Sequence, residues 1–92
     1  MKHMQLYIID LAFRIKDMDE WDFGNYVINK ILKKDKWDDA SAGTGFGERD
    51  MQWERKTPYT KEKLTKVKAL IKSYGVRLCK FKQTTYEEMY GE

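Results

Sequence analysis

The sequence predicts a single α+β domain, on three observations. Apolar residues alternate with period two in "LYIIDLAFRI", "MQWER" and "GVRLCKFKQ". They recur at helical spacing in two of the segments between these runs. Ninety-two residues with 41% hydrophobic content, three Trp, six Tyr and four Phe are enough for one modest core.

The first strand is "MQLYIIDLAFRI". Tyr7, Ile9, Leu11, Phe13 and Ile15 form a wholly apolar set that faces the core. Leu6, Ile8, Asp10, Ala12 and Arg14 form the other face. Leu6, Ile8 and Ala12 make that face mildly apolar, suited to sheet-to-sheet covering by a second copy. A helix follows over Met18–Lys34. Asp17 caps it, with Glu20 three residues on, and Lys30, Lys33 and Lys34 meet the negative end of its dipole. Trp21, Gly24, Val27, Ile28, Ile31 and Leu32 share its inner face.

"WDDASAGTGFGERDMQWERK" is too rich in glycine for a helix. Trp37–Thr44 reads as a weak edge strand, the glycines as a loose turn, and Glu48–Lys56 as a strand pairing back. In that strand Met51 and Trp53 point inward, against Asp50, Gln52 and Glu54. The second helix starts at Thr57-Pro58 or at Thr60, carries Leu64, Val67, Leu70, Ile71 and Tyr74 as its stripe, and stops at Gly75. "GVRLCKFKQ" is the last strand. Residues 84–92 form a tail that frays, or in which Thr85 and Glu88 cap one helical turn.

The order β-α-β-β-α-β is the split βαβ pattern of ferredoxin-like folds. It implies an antiparallel four-stranded sheet in the order 4-1-3-2, with two helices on one face and the other face open.

Composition excludes several chemistries. One cysteine, Cys79, allows no internal disulfide, and one Cys with one His, His3, makes no Cys/His zinc site. Neither Cys-His nor Ser-His-Asp catalysis has a base apart from terminal His3. No apolar run reaches 18 residues and no signal peptide is evident, so the expectation is a cytoplasmic protein with no membrane partner and no cofactor.

The second half is strongly basic. Arg55, Lys56, Lys61, Lys63, Lys66, Lys68, Lys72, Arg77, Lys80 and Lys82 stand against Glu62 alone. Lys61, Lys68 and Lys72 lie at i, i+7 and i+11, a stripe able to neutralise phosphates or to meet an acidic protein. The expected function is a non-enzymatic module binding nucleic acid or an acidic protein. Arg55, Lys56, Lys61, Lys63, Lys66, Lys68, Lys72, Lys80 and Lys82 would make the contacts, joined by Phe46 and Arg49 on the hairpin. Compact charged domains of this kind are common among phage and mobile-element accessory proteins, an association at the level of fold.

"AGTGFGERD" is neither a Walker loop, which needs Lys-Ser/Thr, nor a dinucleotide fingerprint, which must open a helix. Two resemblances add expectations. "LYIIDL" resembles the first-strand motif of RNA-recognition-motif domains, with Asp10 where Asn is usual, and Gly45-Phe46-Gly47 matches the centre of their second motif. Membership would imply stacking of RNA bases, although the alternation here places Tyr7 on the core face. Asp10, near the end of an apolar first strand, is similar in position to the Asp of small CRISPR-associated and virulence-associated ferredoxin-like nucleases. That likeness implies a homodimer in which Asp10, with Asp50 opening the third strand, holds Mg²⁺. Without it, Asp10 is expected to pair with Arg14, Arg49 or Arg77.

Overall fold

The computed structural model describes residues 5–91; His3 lies outside them. Four strands, β1 (Tyr7–Arg14), β2 (Asp38–Gly45), β3 (Glu48–Arg55) and β4 (Leu78–Thr85), form one antiparallel sheet in the order β2-β3-β1-β4. Two helices, α1 (Met18–Lys34) and α2 (Lys61–Ser73), pack on the same face of it. A short helix, α3 (Tyr86–Tyr90), follows β4.

Local chemistry accounts for the element ends. The Asp17 carboxylate accepts the Glu20 N–H at 2.9 Å, and the Glu20 carboxylate accepts the Lys16 N–H at 2.6 Å. Thr60 caps α2 by accepting the Lys63 N–H at 3.1 Å, so Thr60 rather than Thr57-Pro58 starts that helix. Caps of this kind stabilise by about 1 kcal/mol each.

The core joins Ile9, Leu11, Phe13, Met51 and Trp53 from the sheet to Val27, Ile28, Leu32, Val67 and Ile71 from the helices. A Cβ at Gly24 would lie 2.2 Å from Cε2 of Phe13, so α1 reaches the sheet only because that position has no side chain. The helices run antiparallel. Asp35, after α1, meets Tyr59 and Lys63 at the start of α2. Phe23 and Gly24 share a depression with Gly75 and Val76 at the other end.

β1 is buried on both faces. Ile8 and Ala12 are 1% and 3% exposed, so the apolar patch expected on the open face is not available to a second copy. The reason is position: in register, Gln52, Asp50, Lys80 and Lys82 flank β1 on both sides.

Two other expectations change, and of the two readings of the tail the capped helical turn holds. The hairpin turn is tight. Gly45 pairs with Glu48, leaving Phe46 and Gly47 as a two-residue turn with φ of 54° and 76°, while Gly43 and Gly45 belong to β2. Positive φ at both central residues defines the type I′ turn, which matches the twist of paired strands. The tail is ordered through Thr85, because Thr84 and Thr85 still pair with Ile8 and Tyr7. Thr85 and Glu88 then form a full capping box that starts α3. Leu70 and Tyr74, expected in the apolar stripe, are 44% and 54% exposed; only Val67 and Ile71 of α2 are fully covered.

Candidate functional site

The charged residues fall into two groups, those held by the fold and those left to solvent. Three arginines, Arg49, Arg55 and Arg77, are held. Arg49 shares the helix-side face of the sheet, opposite Phe13. Its Nε donates to Asn25 Oδ1 at 3.0 Å, its Nη1 donates to Thr44 Oγ1 at 3.2 Å, and its guanidinium lies 5.0 Å from the Trp21 ring centre. Arg55 lies over Trp37 at 4.6 Å and Tyr59 at 4.9 Å, and donates to the carbonyl oxygens of Asp35 and Thr57. The Tyr59 hydroxyl donates to Asp35 Oδ2 at 2.6 Å, and burial together with that carboxylate pushes its pKa up. Arg77 makes a two-pronged pair with Glu20, at 2.9 and 2.8 Å. That contact holds the Glu20 carboxyl below its ordinary value.

Arg49 and Arg55, expected on the partner surface, are therefore half-buried and engaged within the chain. A planar guanidinium can satisfy several acceptors at once and stack on rings, which suits it to such interior roles.

The lysines differ. Lys61, Lys68 and Lys72 fall within about 40° of one another around α2 at 3.6 residues per turn. They are exposed and form no ion pair among the described residues. Lys63, on the opposite flank, reaches Asp35 at 4.0 Å, and Lys66 pairs with Glu62 at 3.9 Å. Since Lys63 reaches toward α1, the Lys61–Lys68–Lys72 flank faces away from α1. Lys56 precedes the helix and is exposed.

The open face of the sheet carries columns of opposite charge. β3 contributes Glu48, Asp50, Gln52 and Glu54, and β4 contributes Lys80 and Lys82. Between them, Asp10 accepts from Lys80 Nζ at 3.0 Å with its side chain 10% exposed. The expected Arg14, Arg49 and Arg77 are not its ion-pair partners. Arg49 projects to the other face, Arg77 is taken by Glu20, and Lys80 is the cation in register with neighbouring Ala12. Asp50 pairs with Ala12 and Asp10 with Gln52, a two-residue offset, so the two carboxylates share this face on adjacent strands. Among the described residues no three His, Cys, Asp or Glu side chains gather as a metal-ligand group. A depression of about 590 Å³ covers this region, floored by Ala12 and edged by Arg14, Glu48, Asp50 and Cys79. A bulge opposite Ala12 and Phe13 leaves Cys79 unpaired in the ladder. Burial and the nearby Glu48 charge push its thiol up, away from the reactive thiolate.

Phe46 is fully exposed at the turn tip, whereas Tyr7 packs against the helix-side core. The two rings do not share a stacking surface. Trp37, Tyr59 and Asp35, which hold Arg55, carried no signal in the sequence, because their link to Arg55 exists only once β3, α1 and α2 meet. No described helix is long and apolar enough to cross a membrane. No protein-family model, curated protein or solved structure matches this chain.

Proposed function

We propose that the chain is a ferredoxin-like binding module that engages the phosphate backbone of a nucleic acid through the outer flank of α2. The observation that carries this reading is the alignment of Lys61, Lys68 and Lys72 on one exposed flank, without ion pairs among the described residues. A rise of 1.5 Å per residue spreads their Cα atoms over about 16 Å, the axial length of roughly five phosphates on one strand. Lys56 extends the basic surface. That flank carries no aromatic residue, so contacts to phosphate without base stacking, and hence weak sequence preference, are expected. The strand order β2-β3-β1-β4 and the two helices on one face support the ferredoxin-like assignment.

Fluorescence anisotropy with labelled single- and double-stranded oligonucleotides across a salt series tests the reading. Changing Lys61, Lys68 and Lys72 together to Ala should reduce the steepness of log K against log salt by roughly 2.7 for duplex DNA. Changing all three to Glu should abolish binding while circular dichroism stays unchanged. Undiminished binding at low salt by the Glu variant refutes the assignment. Absence of binding by the unmodified chain would move the case to an acidic protein.

A further inference from the structure

We infer that the nucleic acid bound by α2 is a single strand lying along the free edge of β4, a refinement that rests on the lysine-flank reading above. The starting point is the position of α2. The Tyr59 N–H donates to Gln83 Oε1 at 2.9 Å, and Gln83 Nε2 donates to the Tyr59 carbonyl at 3.2 Å, so α2 begins beside Gln83. Only residues 74–77 separate its end from Leu78, where β4 begins. Helix and strand therefore run antiparallel, side by side. α1 lies toward the other edge of the sheet, where Trp21 and Asn25 meet Thr44 and Arg49. The flank of α2 that faces away from α1, with Lys61, Lys68 and Lys72, consequently overhangs the edge of β4.

That edge is open. β4 pairs with β1 on one side and, among the described residues, with no strand on the other. The Tyr86 N–H donates to the Leu6 carbonyl at 2.8 Å, which fixes the alternation of the antiparallel ladder. Lys80, Lys82 and Thr84 turn their backbone groups to β1, and Phe81 and Gln83 turn theirs outward. Thr85 is closed off, its N–H donating to Glu88 Oε1 at 3.3 Å. The outward N–H groups of Phe81 and Gln83 suit phosphate oxygens, and their carbonyls can accept from bases or a 2′-hydroxyl. Lys82 stands on the open face of the sheet, across this edge from the α2 lysines. It is exposed and makes no ion pair among the described residues.

Charge separates this edge from the other one. β2 carries Asp38 and Asp39 and no lysine, and repels phosphate. The β4 edge has cations above and below it. A single strand fits between them and meets α2, the edge amides and Lys82 together. A duplex is a convex rod that rests on the α2 lysines and reaches neither Lys82 nor the edge amides. The carboxylate of Glu88 ends the track beyond Thr85.

Anisotropy and amide hydrogen exchange test the inference, with a mixed-sequence oligonucleotide of about 15 nucleotides used alone and annealed to its complement. The single strand should bind about tenfold more tightly at low salt, the worth of one further charged hydrogen bond. In its complex, exchange of the Phe81 and Gln83 amides should slow, while that of Lys82, already turned to β1, should not change. Lys82→Ala should lower the salt slope by about 0.7 for the single strand and leave the duplex slope unaltered, with circular dichroism unchanged. Equal affinity for the duplex, unprotected Phe81 and Gln83 amides in the complex, or an unaltered single-strand slope in Lys82→Ala overturns the inference and leaves the α2 reading standing. Binding of neither probe overturns both.

Discussion

The two helices lie on the same sheet face but are held in different ways. α1 buries Gly24, Val27, Ile28 and Leu32 and is tied on both flanks. Asn25 and Trp21 meet Arg49 on one side, and Glu20 meets Arg77 on the other. α2 buries only Val67 and Ile71, with Leu64 partly covered, and its cations are lysines with long or absent pairings. The difference teaches that counting positive charges does not locate a binding surface. Arg49 and Arg55 each reach two acceptors and a ring together, so the fold consumes them. A flexible lysine gains little from a surface pair, typically 0–1 kcal/mol, and stays in solvent. The narrow apolar stripe of α2 leaves most of its circumference free for those lysines.

The largest expected break in this contrast lies under α1. Gly24→Ala places a methyl group 2.2 Å from the Phe13 ring, which must move or push the helix away. A loss of about 3 kcal/mol is expected, measured by urea denaturation. The same substitution at an exposed α2 position, Lys68→Ala, should change stability by less than about 0.5 kcal/mol. Comparable losses at both sites would erase the difference drawn between the helices.

Arg49→Ala gives an intermediate effect. It removes hydrogen bonds to Asn25 and Thr44 and the stacking on Trp21, and leaves the half-buried Asn25 oxygen unpaired. A cost of about 1.5 kcal/mol is expected. A variant as stable as wild type would mean that the arginine is as dispensable as the lysines.

The smallest effect is a pH dependence at the other flank of α1. Glu20 is held below its ordinary value near 4.5, first by the hydrogen bonds from Arg77 and then by the Lys16 N–H. Its ionised form therefore stabilises the fold above that ordinary value, and the contribution fades as pH falls through the lowered one. Glu20→Gln should lower the melting temperature slightly at pH 7, with the gap to wild type closing below about pH 4. A gap independent of pH would remove Arg77 from the forces holding α1.

Much of the backbone was legible because its signals are local. Met18–Lys34 follows from the Asp17 cap and the apolar spacing, and α2 from Thr60 and Gly75. The inward set of β1 follows from alternation alone, because successive side chains of a strand must point to opposite faces. The site was less legible. Arg49 was expected on the hairpin or beside Asp10; the register of β3 puts it opposite Phe13 instead, and only the approach of α1 supplies Asn25 and Trp21 to hold it. Nothing in the order of residues revealed that Lys80 lies against Asp10, since their pairing depends on register and a bulge between β1 and β4.

By itself, then, the sequence determined the identity and order of the elements, where α1 begins, and the concentration of lysine in the second half. These are properties of neighbours within a few residues. The packed structure decided which cations remain in solvent, that β1 is covered on both faces, and that Phe46 is held out at a tight turn. The first two outcomes depend on groups about 20 to 80 residues apart reaching hydrogen-bonding or van der Waals distance, and the third on β2 and β3 staying paired as far as Gly45 and Glu48, conditions that local pattern does not contain.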